Sequence, residues 1–441
     1  MKRIELPEKV SQILRILSRA GYEAYAVGGC VRDSLLGRIP GDWDITTSAL
    51  PQQVKALFRR TIDTGIQHGT VTVMLGGEGF EVTTYRLDGD YSDGRHPDSV
   101  VFTPSLEEDL KRRDFTINAM AYNPKAGLVD LFGGLEDLRA GLIRAVGDSY
   151  ERFDEDALRI LRAARFSAQL GFRIEEQCFA ALRQFAPRLA LVSRERIQVE
   201  LVKLLMSPHP DYFRLLYESG ITAEIFPRFD EMMALPQHSP YHCGSVGEHT
   251  LAVLAETPAD RVLRLAALLH DTGKTVTHRA DADGTDHFPG HAAEGAAFAE
   301  QFLKELRFDT DTLTRVTRLI RVHDDYFDPT EANIRRAMNR MGEDTFEAFV
   351  QFILYDNKAK SSAAQEAFLP QYGRLLENCR LVREKKNCVS LKTLAVSGSD
   401  LIAAGMKPGK ALGDTLQAML NDVLETPAHN ERDYLLQKYL P

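Results

Sequence analysis

The chain has 441 residues with 44% hydrophobic and 27% charged content and a mean hydropathy of −0.25, which excludes a fibre, a peptide or a disordered tail and requires several domains. Its 54 basic and 63 acidic residues leave a net charge of −9, which taken whole argues against a protein that coats nucleic acid electrostatically. Five scattered cysteines, Cys30, Cys178, Cys243, Cys379 and Cys388, contain no C-x-x-C pair, so neither a disulfide framework nor a thiolate zinc site is expected.

A helix is expected near Pro7 to Ala20, followed by short strand-like runs at Tyr25–Val27, Trp43–Ile45, Val71–Leu75 and Phe80–Tyr85 between glycine-rich turns. This is an α/β pattern over about the first third of the chain. From Asp154 onward apolar residues recur at three and four spacing, as in Leu158, Leu161, Phe166 and Leu170, and helices are expected down to Pro441. Breaks are expected at Pro208–Pro210, Pro236–Pro240, Asp281–Gly284 and Pro329. The N-terminus lacks a signal-peptide core and the longest apolar runs, such as Leu265–Leu269, are far too short to span a bilayer. A soluble, unprocessed cytoplasmic protein with no membrane partner is the expectation.

Gly28-Gly29-Cys30-Val31-Arg32-Asp33 follows a strand and opens a helix, where bare backbone N–H groups can approach a phosphate. Asp42-Trp43-Asp44 enters a strand-like run, and the strand period of two sets both carboxylates on one face. Such a pair repels unless a cation lies between, and hard oxygen donors suit Mg²⁺; Glu81 adds a third carboxylate from a neighbouring strand. The run Asp109–Met120 holds Arg112, Arg113, Asp114 and Asn118, either an ion-paired helix surface or groups to neutralise a triphosphate and hold a ribose. Asp156, Arg159, Arg162 and Arg165 recur at three-residue spacing; they are either salt bridges along a helix or a donor and acceptor stripe that reads a base edge.

The ordered series Gly28-Gly29-x-Val31-Arg32-Asp33, Asp42-x-Asp44, Glu81, Arg112–Ala119, Gly133-Gly134, Glu155-Asp156-x-x-Arg159-x-x-Arg162 and Ser193–Ile197 with Glu200 resembles the class II tRNA nucleotidyltransferases, the CCA-adding enzymes, over about 205 residues. The resemblance implies a polymerase-β-like head in which Asp42 and Asp44 hold two Mg²⁺ ions beside Glu81, and partners tRNA, CTP and ATP. It implies that Gly29, Arg32 and Arg113 contact phosphates or sugar, that Asp156 with Arg159 selects C and then A, and that Arg162 and Arg165 support the triphosphate or that template. Asp88–Thr103 matches the family's flexible loop. Enzymes adding only A or only CC, and poly(A) polymerases, share the head; that loop argues against a CC-only enzyme, while the downstream segments argue against a poly(A) polymerase.

The region 236–360 carries most histidines. His270-Asp271 ends the apolar run Leu265–Leu269, where an unpaired carboxylate would be costly without a cation. The order His249, His270-Asp271, His291, His323, Asp356 resembles the HD phosphohydrolase superfamily. That implies a metal on His249, His270, Asp271 and Asp356, with His291 and His323 completing a second position. Imidazole with carboxylate suits a divalent transition metal. His238 and His242 are alternatives, as ligands or as substrate contacts. Ser397–Leu416 with Asn430-Glu431 resembles the helical tail of HD-containing CCA-adding enzymes. The expected architecture is α+β: a head over 1–145, an all-α neck and body over 146–235 with the nucleobase template, a helical HD domain over 236–360 and a helical tail over 361–441. A metal-dependent phosphohydrolase with a relic head is the alternative from another class. The acidic excess falls mainly within 211–370, whereas 151–210 and 371–441 lean basic, so charge permits an RNA path along the neck and tail.

Overall fold

In a computed structural model, residues 3–88, 100–239, 241 and 244–440 are described. Most of the loop Asp88–Thr103, together with His242 and Cys243, therefore lies outside the described residues. The chain divides into two units, Met1–Pro227 and Arg228–Pro441.

The first unit begins with helix α1 (Glu8–Arg19), whose Val10, Ile13, Leu14 and Leu17 form one buried stripe. That stripe packs with Ile45, Val71, Val73 and Val82 of a seven-stranded sheet, as helical and strand periods require of an apolar face. The strands are β1 (Ala24–Val27), β2 (Ile45–Thr47), β3 (Thr61–Gly65), β4 (Thr70–Leu75), β5 (Glu78–Thr84), β8 (Met120–Asn123) and β9 (Gly127–Asp130); β6 (Arg86–Asp88) pairs separately with β7 (Val100–Phe102). Their order across the sheet is β3-β4-β5-β2-β1-β8-β9. Only β2 with β5 is parallel, with Ile45 opposite Val82. Helices α2 (Gly29–Leu35), α3 (Pro51–Leu57), α4 (Leu106–Lys111) and α5 (Gly134–Ala140) connect these strands. Helices α6 (Ser149–Glu155), α7 (Leu158–Leu170), α8 (Glu176–Phe185) and α9 (Arg194–Leu205) follow.

Three details differ from the sequence expectation. Asp42-Trp43-Asp44 precedes β2 rather than lying in it, although Val27 N still donates to Asp44 O across 3.0 Å. Strand β8 is buried along Met120, Ala121 and Tyr122, so it shows no alternation and reads as part of the polar run before it. Two further strand pairs, Leu142–Ile143 with Arg173–Ile174 and Arg279–Ala280 with Asp286–His287, are two residues long and leave no periodic signal.

The second unit is helical around Val246–Glu256, Arg261–Leu269, His291–Glu305, Thr310–Val322, Glu331–Met341, Glu343–Lys358 and Ser362–Glu384. Gly398–Ala403, Lys410–Glu425 and Arg432–Tyr439 close it over a core of Leu401, Met419, Val423 and Leu435. Buried Arg335 ties that end to Glu331–Met341 by donating to Leu424 O at 2.7 Å and Glu425 O at 3.0 Å, which satisfies the terminal carbonyls of Lys410–Glu425. Among the described residues no helix is long and apolar enough to cross a membrane.

Candidate active site and metal centre

The first cluster sits where β1 turns into α2. Gly28 has φ +82°, and a Cβ there would lie 3.1 Å from Arg113 Nη1, so glycine is demanded by both backbone and neighbour. Asp42 and Glu81 lie close enough to Asp44 for their charges to act on it. The Asp44 carboxyl, still open to solvent, is pushed up to about 6, first by the protein walls around it and then by the negative charges of Asp42 and Glu81, with Arg113 opposing. Oxygen donors crowded enough to hold back ionisation are the setting a hard divalent cation relieves. Asp42, Asp44 and Glu81 therefore fit Mg²⁺.

The arginines around this cleft are fixed by buried carboxylates. Asp109 is fully buried, accepts from Thr46 Oγ1 at 2.9 Å and Arg112 Nη2 at 2.7 Å, and lies 3.6 Å from Arg113 Nη2. Burial opposes its ionisation, yet the two guanidinium groups hold its carboxyl below the usual range. Asp109 was not legible as an anchor, because only the fold brings Thr46 to it. Arg32 is buried, donating to Asp33 at 2.9 Å and through Nη1 to Asn118 Oδ1 at 2.7 Å. Asn118 Nδ2 donates to Asp114 Oδ1 at 3.1 Å, and Arg162 donates to Asp114 Oδ2 from Nε at 2.8 Å and Nη2 at 2.5 Å. A continuous chain thus links α2 to α7. Despite burial, Arg162 and Asn118 hold the Asp114 carboxyl well below the usual carboxylate range.

The proposed base-reading stripe is arranged differently from a single helix face. Asp156 lies at the break between α6 and α7, accepting from Leu158 N at 2.9 Å and Arg196 Nη2 at 3.1 Å. Arg159 is buried and donates to Glu155 at 2.6 Å, Arg152 O at 3.0 Å and Arg112 O at 3.1 Å. Arg165 turns inward, 2.6 Å from Glu200 on α9 and stacked 3.9 Å from the Phe166 ring centroid; burial brings its guanidinium down to about 10. Arg162 and Arg165 thus brace the α7 wall against Asp114 and Glu200.

The second cluster lies within the helical unit. His249 stands on Val246–Glu256, His270 ends Arg261–Leu269, His291 opens His291–Glu305, His323 ends Thr310–Val322 and Asp356 lies on Glu343–Lys358. Asp271 is central. Its Oδ2 is 3.2 Å from His270 Nε2 and 3.8 Å from His249 Nε2, while its Oδ1 is 3.7 Å from His291 Nε2 and 3.8 Å from His323 Nε2. Asp356 Oδ1 lies 2.9 Å from His249 Nε2 and 3.8 Å from His270 Nε2.

Three of the rings share one orienting device. Nδ1 of His270, His291 and His323 faces the carbonyl three residues earlier, at 2.9, 2.9 and 2.7 Å. A proton on each Nδ1 leaves the Nε2 lone pairs aimed at Asp271, the tautomer a metal ligand needs. The Nε2 atoms of His291 and His323 then face each other at 3.2 Å, which a cation between them would relieve. His270 Nε2 and Asp271 Oδ2 are both buried, each with the other at 3.2 Å. Asp271 is nonetheless kept ionised despite burial by His270 and by Lys274 Nζ at 2.8 Å. The donor set divides into His249-His270-Asp271 and Asp271-His291-His323, and its imidazoles fit one or two divalent transition metals. Gly273 permits this closure, since a Cβ there would stand 2.1 Å from His291 O. His238 is absent from the cluster; it bonds Asp286 at 3.0 Å instead.

Residues 24–144 match the Poly A polymerase head domain, 171–233 the probable RNA and SrmB-binding site of polymerase A, and 292–439 the tRNA nucleotidyltransferase domain 2. A CCA-adding enzyme of Lactiplantibacillus plantarum is 36% identical over 437 residues, covering 96% of this chain and 93% of that one. One from Limosilactobacillus fermentum is 37% identical over 442 residues, covering 99% and 98%. The chain belongs to the CCA-adding enzyme family. The match to the CCA-adding enzyme of Leuconostoc mesenteroides reaches 56% identity but spans 209 residues, 47% of this chain and 52% of that relative. The crystal structure of Bacillus stearothermophilus CCA-adding enzyme in complex with CTP superposes with a TM-score of 0.72 at 32% identity, covering 97% of this chain and 96% of that one.

Within this CCA-adding enzyme family member, the first cluster through Asn118 falls inside the matched head domain. Asp156, Arg159, Arg162 and Arg165 fall between the first two matched segments. His249, His270, Asp271 and His291 precede the third matched segment, which takes in His323 and Asp356.

Proposed function

We propose that the chain completes tRNA 3′ ends with C, C and A from CTP and ATP, and that its second cluster is an HD-type phosphohydrolase acting on phosphate esters at damaged RNA ends, both in the cytoplasm. The observation that carries the first activity is the crowding of Asp42, Asp44 and Glu81 beside Gly28 and Arg113 in a chain of this family. The RNA 3′-hydroxyl oxygen loses its proton to solvent and forms a bond to the α-phosphorus as the bond to pyrophosphate breaks, and pyrophosphate carries off the electron pair. Mg²⁺ held by Asp42 and Asp44 supplies activation of that hydroxyl and spreads the developing charge when bound. Arg113, whose Nε is buried without a hydrogen-bond partner and whose Nη2 lies 3.6 Å from Asp109, offers a cation for the triphosphate. Arg32 and Asn118 hold the turn that presents Gly28 and Gly29. Asp156 and Arg159 supply the acceptor and donor that distinguish C from A, with Arg196 and Glu155 as their partners before the nucleotide arrives. Arg162 and Arg165 support that wall through Asp114 and Glu200.

The hydrolase reading is supported by the split donor set around Asp271, the buried His270 Nε2 facing Asp271 and Asp356, and the shared Nδ1 orientation of three rings. A transition metal there supplies a water of lowered pKa when bound. Lys274 and Lys360, 2.8 Å from Asp271 and 2.6 Å from Asp356, balance the aspartates and offer charge to a phosphate. The test supplies purified protein with tRNA lacking its three terminal nucleotides, labelled CTP or ATP, and Mg²⁺. Incorporation of two C and one A is expected. No incorporation of either label defeats the reading, and A added only to tRNA already ending in CC would make the chain an A-adding specialist.

A further inference from the structure

Phe166 is buried on α7, and three guanidinium groups gather round its ring. The Cζ atoms of Arg165, Arg32 and Arg162 stand 3.9, 5.1 and 5.4 Å from the ring centroid, all within the roughly 6 Å over which an aromatic face attracts a cation. Phe115, itself fully buried, meets the same ring edge to face with centroids 5.7 Å apart at 80°, which holds the ring in place. Three like charges this close repel, and the positive charges of Arg162 and Arg32 both act against that of Arg165. Each arginine has a carboxylate of its own: Asp33 at 2.9 Å for Arg32, Asp114 at 2.5 Å for Arg162 and Glu200 at 2.6 Å for Arg165. Those carboxylates belong to α2, to the bend before Phe115 and to α9, whereas the ring is common to all three guanidinium groups.

Arg32 connects this group to the nucleotide side of the cleft. It follows the Gly28-Gly29 turn on α2, its Nη2 stands 3.7 Å from where a Cβ of Gly29 would be, and its Nη1 donates to Asn118 Oδ1 at 2.7 Å. We propose that Phe166 is a positioning residue for nucleotidyl transfer, whose negative ring face holds Arg32, Arg162 and Arg165 together behind the Gly28-Gly29 turn so that their charge meets the triphosphate of CTP and ATP alike. The assignment rests on the nucleotide-addition reading of the first cluster. The ring touches no reacting atom and acts through the arginines. An aliphatic side chain would fill the same space and offer no such face, so the aromatic electrons, beyond the packing, carry the role. Base choice lies elsewhere, because the Arg159 guanidinium is engaged by Glu155 at 2.6 Å and Arg112 O at 3.1 Å.

Fluorination separates the two contributions, because it weakens the negative face of a ring in steps while nearly keeping its shape. Singly fluorinated and trifluorinated phenylalanine are introduced at position 166 of the full chain, with Phe166→Leu as the variant lacking any face. KM and kcat are measured for CTP, for ATP and for truncated tRNA, at temperatures where fluorescence of Trp43, packed on the first unit's core, reports the folded state. The proposal predicts that KM for CTP and for ATP rises stepwise and equally along the series, since the triphosphate is common to both. The rise reaches about tenfold with the trifluorinated ring, within the range of cation–π attraction at a desolvated site. Phe166→Leu raises both at least as far, while kcat and KM for tRNA stay unchanged. A ring that serves only the fold would lower the urea midpoint along the series and leave both nucleotide KM values where they are, and that result overturns the proposal. A rise confined to one nucleotide, or an equal rise for tRNA, overturns it too. No incorporation by the wild type defeats the nucleotide-addition reading instead. Calorimetric titration of the same series with CTP then tests the ring, and equal affinities along it, or none measurable, overturn the proposal.

Discussion

Replacing Asp114 by asparagine removes one charge at nearly constant shape from the centre of the chain linking α2 to α7. An asparagine oxygen can still accept from Phe115 N and Asn118 Nδ2, now at 2.8 and 3.1 Å. Its amide nitrogen, however, then faces the Nε and Nη2 donors of Arg162, which Asp114 Oδ2 now accepts at 2.8 and 2.5 Å. Breaking a fully buried pair costs about 3–5 kcal/mol, and Arg162 retains partial solvent access and Glu200 at 4.0 Å, so a loss of about 2–3 kcal/mol is expected. The carboxyl is depressed in the folded chain by Arg162 and Asn118. Its stabilising contribution is therefore complete above the unfolded carboxylate value of about 4 and fades as pH falls toward the folded value. Urea unfolding followed by fluorescence of Trp43, the single tryptophan, reads the first unit, because Trp43 packs on that unit's core. The midpoint should fall in Asp114→Asn at neutral pH with unchanged slope, and the gap to wild type should narrow below about pH 4. Equal stability at neutral pH, or a gap that persists undiminished in acid, would refute the pairing argument.

Gly28→Ala places a Cβ 3.1 Å from Arg113 Nη1 at a φ of +82°; KM for CTP in tRNA extension should rise roughly tenfold, and an unchanged KM would contradict the close approach. At low Mg²⁺, CTP incorporation should drop as pH falls below about 6, because protonation of Asp44 competes with the cation. Raising Mg²⁺ should restore the rate, and a flat profile at low Mg²⁺ would count against that assignment. Gly273→Ala drives a Cβ to 2.1 Å from His291 O, so calorimetric Co²⁺ affinity should fall at least about tenfold while CTP incorporation stays at the wild-type rate. Equal Co²⁺ affinity would show that His291 is not part of the binding set.

The Gly28-Gly29 turn, the acidic pair and the His270-Asp271 dipeptide were legible because each departs locally from what a plain strand or helix needs. The terminal carboxylate after Leu265–Leu269 is the clearest case, since burial without a counter-charge has a large and predictable cost. What the sequence hid depends on contacts distant along the chain. Asp109 reads as an ordinary helix acid until β2 brings Thr46 to it. Arg162 and Arg165 share the three-residue spacing of Arg159, yet Asp114 and Glu200 draw them into the wall, and no periodicity reveals which face a later helix will cover. Asp156 leaves the stripe because the chain breaks between α6 and α7, with its own carboxylate capping Leu158.

Two chemically separate sites in one chain are the centre of this account, and their separation is measured by extending truncated tRNA with labelled CTP and ATP in wild type, Asp42→Ala and His270→Ala. The account predicts that Asp42→Ala abolishes addition and that His270→Ala adds C, C and A at the wild-type rate. Loss of addition in both variants, or full addition by Asp42→Ala, would contradict it.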